Sequence, residues 1–93
     1  MRVSVFGRRE CDACKAAVEK IEYFTRKWKR EDVNIEYVDM DTPDGLAEGA
    51  YRDVYDIPTV ILEKGGDEVV RWVKTVPVSR EFRKYFFEDP ANE

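Results

Sequence analysis

The chain has 93 residues, of which 43% are apolar and 39% are charged. A chain of this length has material for one hydrophobic core, so we expect a single domain over residues 1–93. Aromatic residues make up 13% of the chain, which excludes the composition typical of disordered proteins. The apolar runs are far shorter than the roughly 20 residues needed to cross a bilayer, so no membrane span is expected.

Sixteen basic and twenty acidic residues give a net charge of −4. The chain lacks the excess positive charge that dominates affinity for phosphate backbones, so nucleic acid is not expected as a partner. The N-terminal sequence has no pattern of a secretory signal, which favours a cytoplasmic location. There are two cysteines and no histidine. Without histidine, His-based acid/base catalysis, Cys-His nucleophile pairs and zinc sites built from two cysteines and two histidines are excluded.

The first predicted element is a strand. Val3, Val5 and Phe6 form a short β-rich run that ends at Gly7, which indicates a strand of about four or five residues. A helix follows the polar loop after it, because apolar residues recur at helical spacing beyond Cys11. The members of this apolar face are Ala17, Ile21, Phe24 and Trp28.

A second strand is predicted by Val33, Ile35 and Tyr37, which alternate with polar residues up to Asp39. Together with the first strand and the helix between them it forms a βαβ unit. The crossover connection of such a unit makes its two strands parallel.

Thr42 marks the start of a second helix, because its side chain can cap the helix and Pro43 suits the first helical position. We expect this helix to run for about three turns and to end near Tyr55. The residues expected on its buried face are Leu46, Ala47, Ala50, Tyr51 and Val54.

The last third of the chain predicts a hairpin and a final helix. Apolar runs at residues 60–62 and 68–73 are separated by a Gly-Gly pair, which indicates two antiparallel strands. The chain then predicts a final helix that ends at the Asp-Pro pair of residues 89–90. We expect its aromatic face to lie in the core. The members of that face are Phe82, Tyr85 and Phe86.

Cys11 and Cys14 lie where the first strand is followed by the first helix. Unpaired N–H groups and the helix dipole stabilise a thiolate at Cys11, and the thiolate is the nucleophilic form. Cys14 falls on the same side of the helix, at about the separation that a disulfide accepts. Cys11 can therefore attack a disulfide and Cys14 can resolve the mixed disulfide. Asp12 opposes the Cys11 thiolate, whereas Arg8 and Arg9 favour it.

Three other interpretations of the cysteine pair stay open. A structural disulfide over so short a loop contributes roughly 2 kcal/mol, and the cytoplasm would keep it reduced. A zinc site needs four ligands, so a dimer or acidic residues would have to complete the two thiols. Two inert buried thiols conflict with the polar loop around them. Dithiol redox chemistry is the favoured interpretation.

The sequence resembles the thioredoxin superfamily and, in its short form, a glutaredoxin-like protein or small thioredoxin. The resemblance rests on the strand of residues 3–7 before the CDAC motif of residues 11–14, and on the Asp-Met-Asp of residues 39–41. It rests further on the Ile-Pro-Thr-Val of residues 57–60, which opens an apolar strand before a Gly-Gly hairpin. It covers nearly the whole chain, from about Val3 to Phe87.

The resemblance implies an α/β, thioredoxin-like fold, with a four-stranded mixed sheet and three flanking helices in the order β-α-β-α-β-β-α. It implies that Cys11 is the nucleophile and Cys14 the resolving thiol. It also implies a cis peptide bond before Pro58, close to the two sulfurs. Ile57, Pro58 and Thr59 are then the substrate-binding segment, with the backbone of Ile57 pairing with an extended substrate.

These expectations describe a monomeric thiol-disulfide oxidoreductase that acts on protein disulfides and binds no cofactor, its redox group being the Cys11/Cys14 disulfide. The elements that hold glutathione in glutaredoxins are missing, since the Thr-Val-Pro of residues 75–77 does not lie at the proline loop. We therefore expect a reductase such as thioredoxin reductase as the electron donor. The alternatives are a glutathione-dependent glutaredoxin and a non-enzymatic interaction or metal-binding module that keeps the fold.

Overall fold

A computed structural model describes residues 1–87. Its elements are β1 (Arg2–Gly7), α1 (Asp12–Lys27), β2 (Asn34–Asp39), α2 (Pro43–Tyr51), β3 (Thr59–Lys64), β4 (Asp67–Val73) and α3 (Ser79–Phe87). This is the predicted order. The predicted end of the last helix at residues 89–90 lies outside the described residues, and the single domain over residues 1–93 stays a prediction. Among the helices within residues 1–87, none is both long enough and apolar enough to cross a bilayer.

The four strands form one mixed sheet in the order β2-β1-β3-β4. β1 is parallel to β2, with Gly7 opposite Asp39 at the carboxyl end of the pair. β3 is antiparallel to both β1 and β4. Gly65 and Gly66 join β3 to β4 with φ angles of 60° and 88°, a region that glycine adopts without steric penalty. The predicted parallel crossover and the predicted hairpin are both confirmed.

Side chains on the two faces of the sheet belong to two apolar clusters. The larger one is covered by α1 and α3, and its buried members are Val3, Val5, Ala17, Ile21, Val60, Leu62, Trp72 and Phe82. The smaller one lies on the opposite face, beneath α2, and its buried members are Phe6, Val38, Met40, Val54 and Ile61. Because alternate strand residues point to opposite faces, the two helical layers enclose the sheet between them.

The predicted apolar face of α1 is confirmed. Ala17 and Ile21 are fully buried, and Phe24 stacks on Trp28 with ring centroids 5.1 Å apart. Phe82 of α3 is also fully buried and lies against both of these rings. Tyr85 meets Trp72 edge to face, while the side chain of Phe86 lies outside the part of the chain that the structure describes.

The predicted start of α2 is confirmed. Thr42 is the N-cap, and its hydroxyl oxygen accepts a hydrogen bond from the N–H of Gly45 at 3.0 Å. The same hydroxyl donates to the carbonyl of Asp39 at 2.8 Å. Thr42 therefore both caps α2 and ties its first turn to the end of β2.

The predicted buried face and end of α2 are wrong. α2 ends at Tyr51 rather than near Tyr55. Of the predicted face Val54 alone is buried, at 3% exposed, and it lies beyond the helix. The other four members are exposed: Leu46, Ala47, Ala50 and Tyr51.

Two glycines form the buried face of α2 instead. Gly45 and Gly49 are its buried residues. A Cβ atom at Gly45 would collide with the backbone carbonyl of Asp39, and one at Gly49 would lie 2.6 Å from the Met40 methyl carbon. The helix backbone thus rests directly on the Asp39 carbonyl at the end of β2 and on the Met40 side chain just beyond it. The lack of side chains on this face, rather than an apolar stripe, permits the approach.

Replacing Gly45 by alanine should lower the free energy of unfolding by about 1–3 kcal/mol, because α2 must shift away from the Asp39 carbonyl. In an open helix interior the same change raises stability by up to about 1 kcal/mol, so the sign of the effect is the test. Ala47→Gly on the exposed face is the matched control and should cost about 1 kcal/mol. Denaturant unfolding measures both variants. A Gly45→Ala protein as stable as the parent would contradict the close approach.

Candidate active site

Cys11 occupies the N-cap position of α1, where its backbone is extended with φ −95° and ψ 99°. Its sulfur accepts a hydrogen bond from the backbone N–H of Cys14, with an N···S distance of 3.0 Å. This N–H is one of those that a helix N-terminus leaves without an intrahelical acceptor. The predicted position of Cys11 at the start of the helix is confirmed.

The two cysteines form a disulfide, with their Cα atoms 5.2 Å apart. Cys11 is half-buried, whereas Cys14 is 0% exposed. Cys14 lies nearly one helical turn after Cys11, on the side of α1 that faces the core. The two sulfurs therefore differ in access, and a molecule in solvent can reach Cys11 first.

Cys11 lines an open cleft of about 470 Å³. The other lining residues are Arg8, Arg9, Glu10, Asp41 and Ile57. A larger cleft, of about 800 Å³, lies between the end of α1 and the start of α3, and neither cysteine lines it. The smaller cleft is therefore the one through which solvent reaches the cysteine pair.

The proline segment lies beside the cysteine pair. The Ile57–Pro58 peptide bond is cis, as the resemblance implies. Ile57 is half-buried and shares the cleft with Cys11, while Pro58 is buried. Thr59 is 1% exposed, and its hydroxyl donates to the carbonyl of Asp56 at 2.6 Å. The Thr59 side chain thus fastens the segment from within, and the substrate-binding roles of the three residues stay predictions.

Arg8 and Arg9 pair with two aspartates at and beyond the end of β2. The guanidinium of Arg9 lies 3.3 Å from the Asp39 carboxylate, and the Arg9 backbone N–H donates to Asp41 at 3.0 Å. Arg8 lies 4.0 Å from Asp41. Each arginine thus has a carboxylate as its near neighbour, which offsets the support predicted for a Cys11 thiolate. Within residues 1–87, no group of three or more His, Cys, Asp or Glu side chains is placed to hold a metal ion.

Tyr37 is predicted as a strand residue only, yet it reaches the site. Its hydroxyl donates to the backbone carbonyl of Arg8 at 2.7 Å. Burial, together with the charges of Asp39 and Asp41, raises the pKa of Tyr37. The phenol is therefore protonated at neutral pH. The signal for this placement is the period-two pattern of β2, which sets Tyr37 on the face that α1 covers.

Gly7 lies close to both the Tyr37 hydroxyl and the Cys14 sulfur. A Cβ atom at position 7 would lie 2.5 Å from the Tyr37 hydroxyl oxygen and 2.7 Å from the Cys14 sulfur. The distance between the Tyr37 oxygen and the Cys14 sulfur is therefore at most the sum of 2.5 Å and 2.7 Å. Any side chain at position 7 would displace at least one of them.

Solved structures similar to this chain include several thioredoxins. Thioredoxin 1 from Thermosipho africanus superposes with a TM-score of 0.77 at 24% identity and covers 100% of both chains. Thioredoxin O2 from Arabidopsis thaliana gives 0.77 at 22% identity, over 95% of this chain and 75% of that one. Fasciola hepatica thioredoxin gives 0.68 at 24% identity, over 90% and 75%.

No protein-family model matches the sequence, and no curated protein sequence matches it. The structural likeness shows that the chain has the thioredoxin fold. The implied four-stranded mixed sheet with three helices is confirmed. A fold of this kind hosts more than one function, so the reaction has to be argued from the cysteine site itself.

In the reduced protein, Cys11 should react with a thiol reagent before Cys14, because only Cys11 reaches the cleft surface. Limiting iodoacetamide near neutral pH, followed by peptide mass mapping, measures the order of labelling. The same protein in denaturant is the control, in which both cysteines should label at similar rates. Earlier labelling of Cys14 in the folded protein would show that the two sulfurs have been assigned the wrong way round.

Proposed function

We propose that the chain is a thiol-disulfide oxidoreductase that exchanges electrons with protein disulfides through Cys11 and Cys14. One observation carries the proposal: a disulfide-forming pair at a helix N-terminus has one sulfur at an open cleft and the other buried behind it. A purely structural crosslink gains nothing from an accessible sulfur. Dithiol exchange requires one.

In the first step the Cys11 thiolate attacks one sulfur of a substrate disulfide. The substrate S–S bond breaks, a bond between Cys11 and that sulfur forms, and the other substrate sulfur leaves as a thiolate that takes a proton from solvent. The N–H of Cys14, 3.0 Å from the Cys11 sulfur, supports the thiolate before the attack. The helix dipole acts in the same direction.

In the second step Cys14 loses its proton and attacks the Cys11 sulfur. The bond between Cys11 and the substrate breaks, and the departing substrate thiolate takes up a proton. The Cys11–Cys14 disulfide of the structure is the product of this step. The substrate has then gained two electrons and two protons, and the cysteine pair has lost them.

Ile57 supports an extended mode of substrate binding, because it lines the same cleft as Cys11. A substrate strand laid across the cleft would pair with the Ile57 backbone and pack on Pro58, the mode known as β-augmentation. Thr59 contributes by holding the segment through its bond to Asp56. This arrangement suits a protein disulfide in an unfolded or exposed segment.

The reduced pair has to be regenerated by an electron donor. We infer a flavoprotein dithiol donor of the thioredoxin-reductase type, since the sequence lacks the elements with which glutaredoxins hold glutathione. A cytoplasmic setting would keep the pair reduced and let the protein act as a monomeric reductant. The glutathione-dependent alternative differs in a measurable way, because it predicts efficient turnover with glutathione.

Cys14→Ser should trap a mixed disulfide with a model protein substrate, because the resolving sulfur is gone while Cys11 still attacks. Cys11→Ser is the matched control and should form none, since its remaining sulfur is buried. Non-reducing gel electrophoresis with mass spectrometry of the adduct measures both. Reductase activity retained by Cys11→Ser would overturn the proposed function.

Thioredoxin reductase with NADPH should reduce the pair faster than glutathione with glutathione reductase. The expected difference follows from the missing glutathione-binding elements. The absorbance of NADPH at about 340 nm falls as NADPH is oxidised, and the rate of this fall reports both routes with the same disulfide substrate. Omission of the chain from each mixture gives the background rate. Faster turnover through glutathione would move the protein to the glutaredoxin class.

A further inference from the structure

We propose that the Tyr37 hydroxyl is the hydrogen-bond partner of the Cys14 sulfur in the reduced protein and positions it for the resolving attack. The inference rests on the proposed function and assigns to its second step a residue that the Cys-x-x-Cys motif does not contain. Tyr37 is a positioning residue here, since the bonds that form and break involve sulfur atoms alone.

The geometry places both groups beside Gly7. The Tyr37 oxygen and the Cys14 sulfur lie 2.5 Å and 2.7 Å from the place where a Gly7 side chain would begin. The Tyr37 ring packs against the core cluster beneath α1, and its hydroxyl is held by the Arg8 carbonyl at 2.7 Å. The phenol is thus anchored at both ends, beside the sulfur.

The resolving step creates a need for such a group. Cys14 is 0% exposed, and a buried thiolate without a hydrogen-bond donor is costly because water no longer solvates its charge. A phenol offers one donor and two lone pairs. One lone pair can accept the S–H of reduced Cys14, and the O–H can turn from the Arg8 carbonyl to the sulfur once the thiolate forms.

The charges around Tyr37 decide whether it acts as a donor or as a base. The carboxylates of Asp39 and Asp41 act on it from the end of β2 and just beyond. Arg8 and Arg9, in the loop after β1, pair with these two carboxylates. Burial and the two carboxylates raise the pKa of Tyr37, so the phenol keeps its proton. It therefore donates a hydrogen bond to the Cys14 thiolate. The proton lost by Cys14 is balanced by the one that the departing substrate thiolate takes up.

Tyr37→Phe tests the inference, because it removes the hydroxyl and leaves the ring. The reduced protein is mixed rapidly with an aromatic disulfide that has two chromogenic thiolate leaving groups. The first thiolate appears when Cys11 attacks and the second when Cys14 resolves, so the two steps are read separately. We expect an unchanged first phase and a second phase slowed by about 10- to 100-fold, the effect of one hydrogen bond to a charged group. The pH dependence of the second phase should move to higher pH.

Tyr55→Phe is the matched control, since it removes a hydroxyl bonded to Asp53 on the exposed surface. Both of its phases should equal those of the parent. A second measurement, thiolate absorbance of Cys14 in a Cys11→Ser background, should show ionisation at higher pH when Tyr37→Phe is added. Unfolding curves of the variants establish that each is folded.

Several outcomes would overturn the inference. A second phase with the parent rate and pH profile in Tyr37→Phe would show that the hydroxyl has no part in resolution. Equal slowing of both phases would show a general disturbance of the site instead. Failure of the proposed function itself looks different, because thiolate release would then be the same in Cys11→Ser as in the parent.

Discussion

The missing side chain at Gly7 lets the first turn of α1 pack directly on the end of β1. β1 is an inner strand, hydrogen-bonded to β2 on one side and β3 on the other, so the position of its end is fixed by both neighbours. From there a short loop leads to the N-cap at Cys11. Cys14 then lies against Gly7, with Tyr37 of the neighbouring strand beside it. The burial of the Cys14 sulfur follows from this contact.

The asymmetry of the cysteine pair is a property of helix geometry. Cys14 continues the buried line of α1 through Ala17 and Ile21, at spacings of three and four residues. Cys11 precedes the helix as its N-cap, so it lies outside that line and faces the cleft. Two cysteines three residues apart would not differ in this way in the middle of an exposed helix. The helix boundary at residue 11 makes the difference.

The sequence was sufficient to predict the element order, the parallel crossover, the hairpin and the cysteine pair at the start of α1, because each has a local signal. It was not sufficient for α2, where apolar periodicity indicated a buried face through Leu46 and Tyr51. The close approach of α2 to the end of β2 determines which residues are buried, and a glycine such as Gly45 does not contribute to an apolar pattern. The position of Tyr37 and Cys14 beside Gly7 has no local sequence signal, for a similar reason. It depends on the register that sets Gly7 opposite Asp39, which no local pattern specifies.

The charges that line the cleft contribute little either to a Cys11 thiolate or to the attraction of a substrate. The lining holds two arginines and two carboxylates, Glu10 and Asp41, so the rim has no dominant charge. The guanidinium of Arg9 has the Asp39 carboxylate as its near neighbour at 3.3 Å. The local support for a Cys11 thiolate then comes mainly from the N–H of Cys14 and from the dipole of α1. A balanced rim also gives little steering by charge, so we propose that recognition of a substrate rests on backbone pairing at Ile57 and on access to one sulfur.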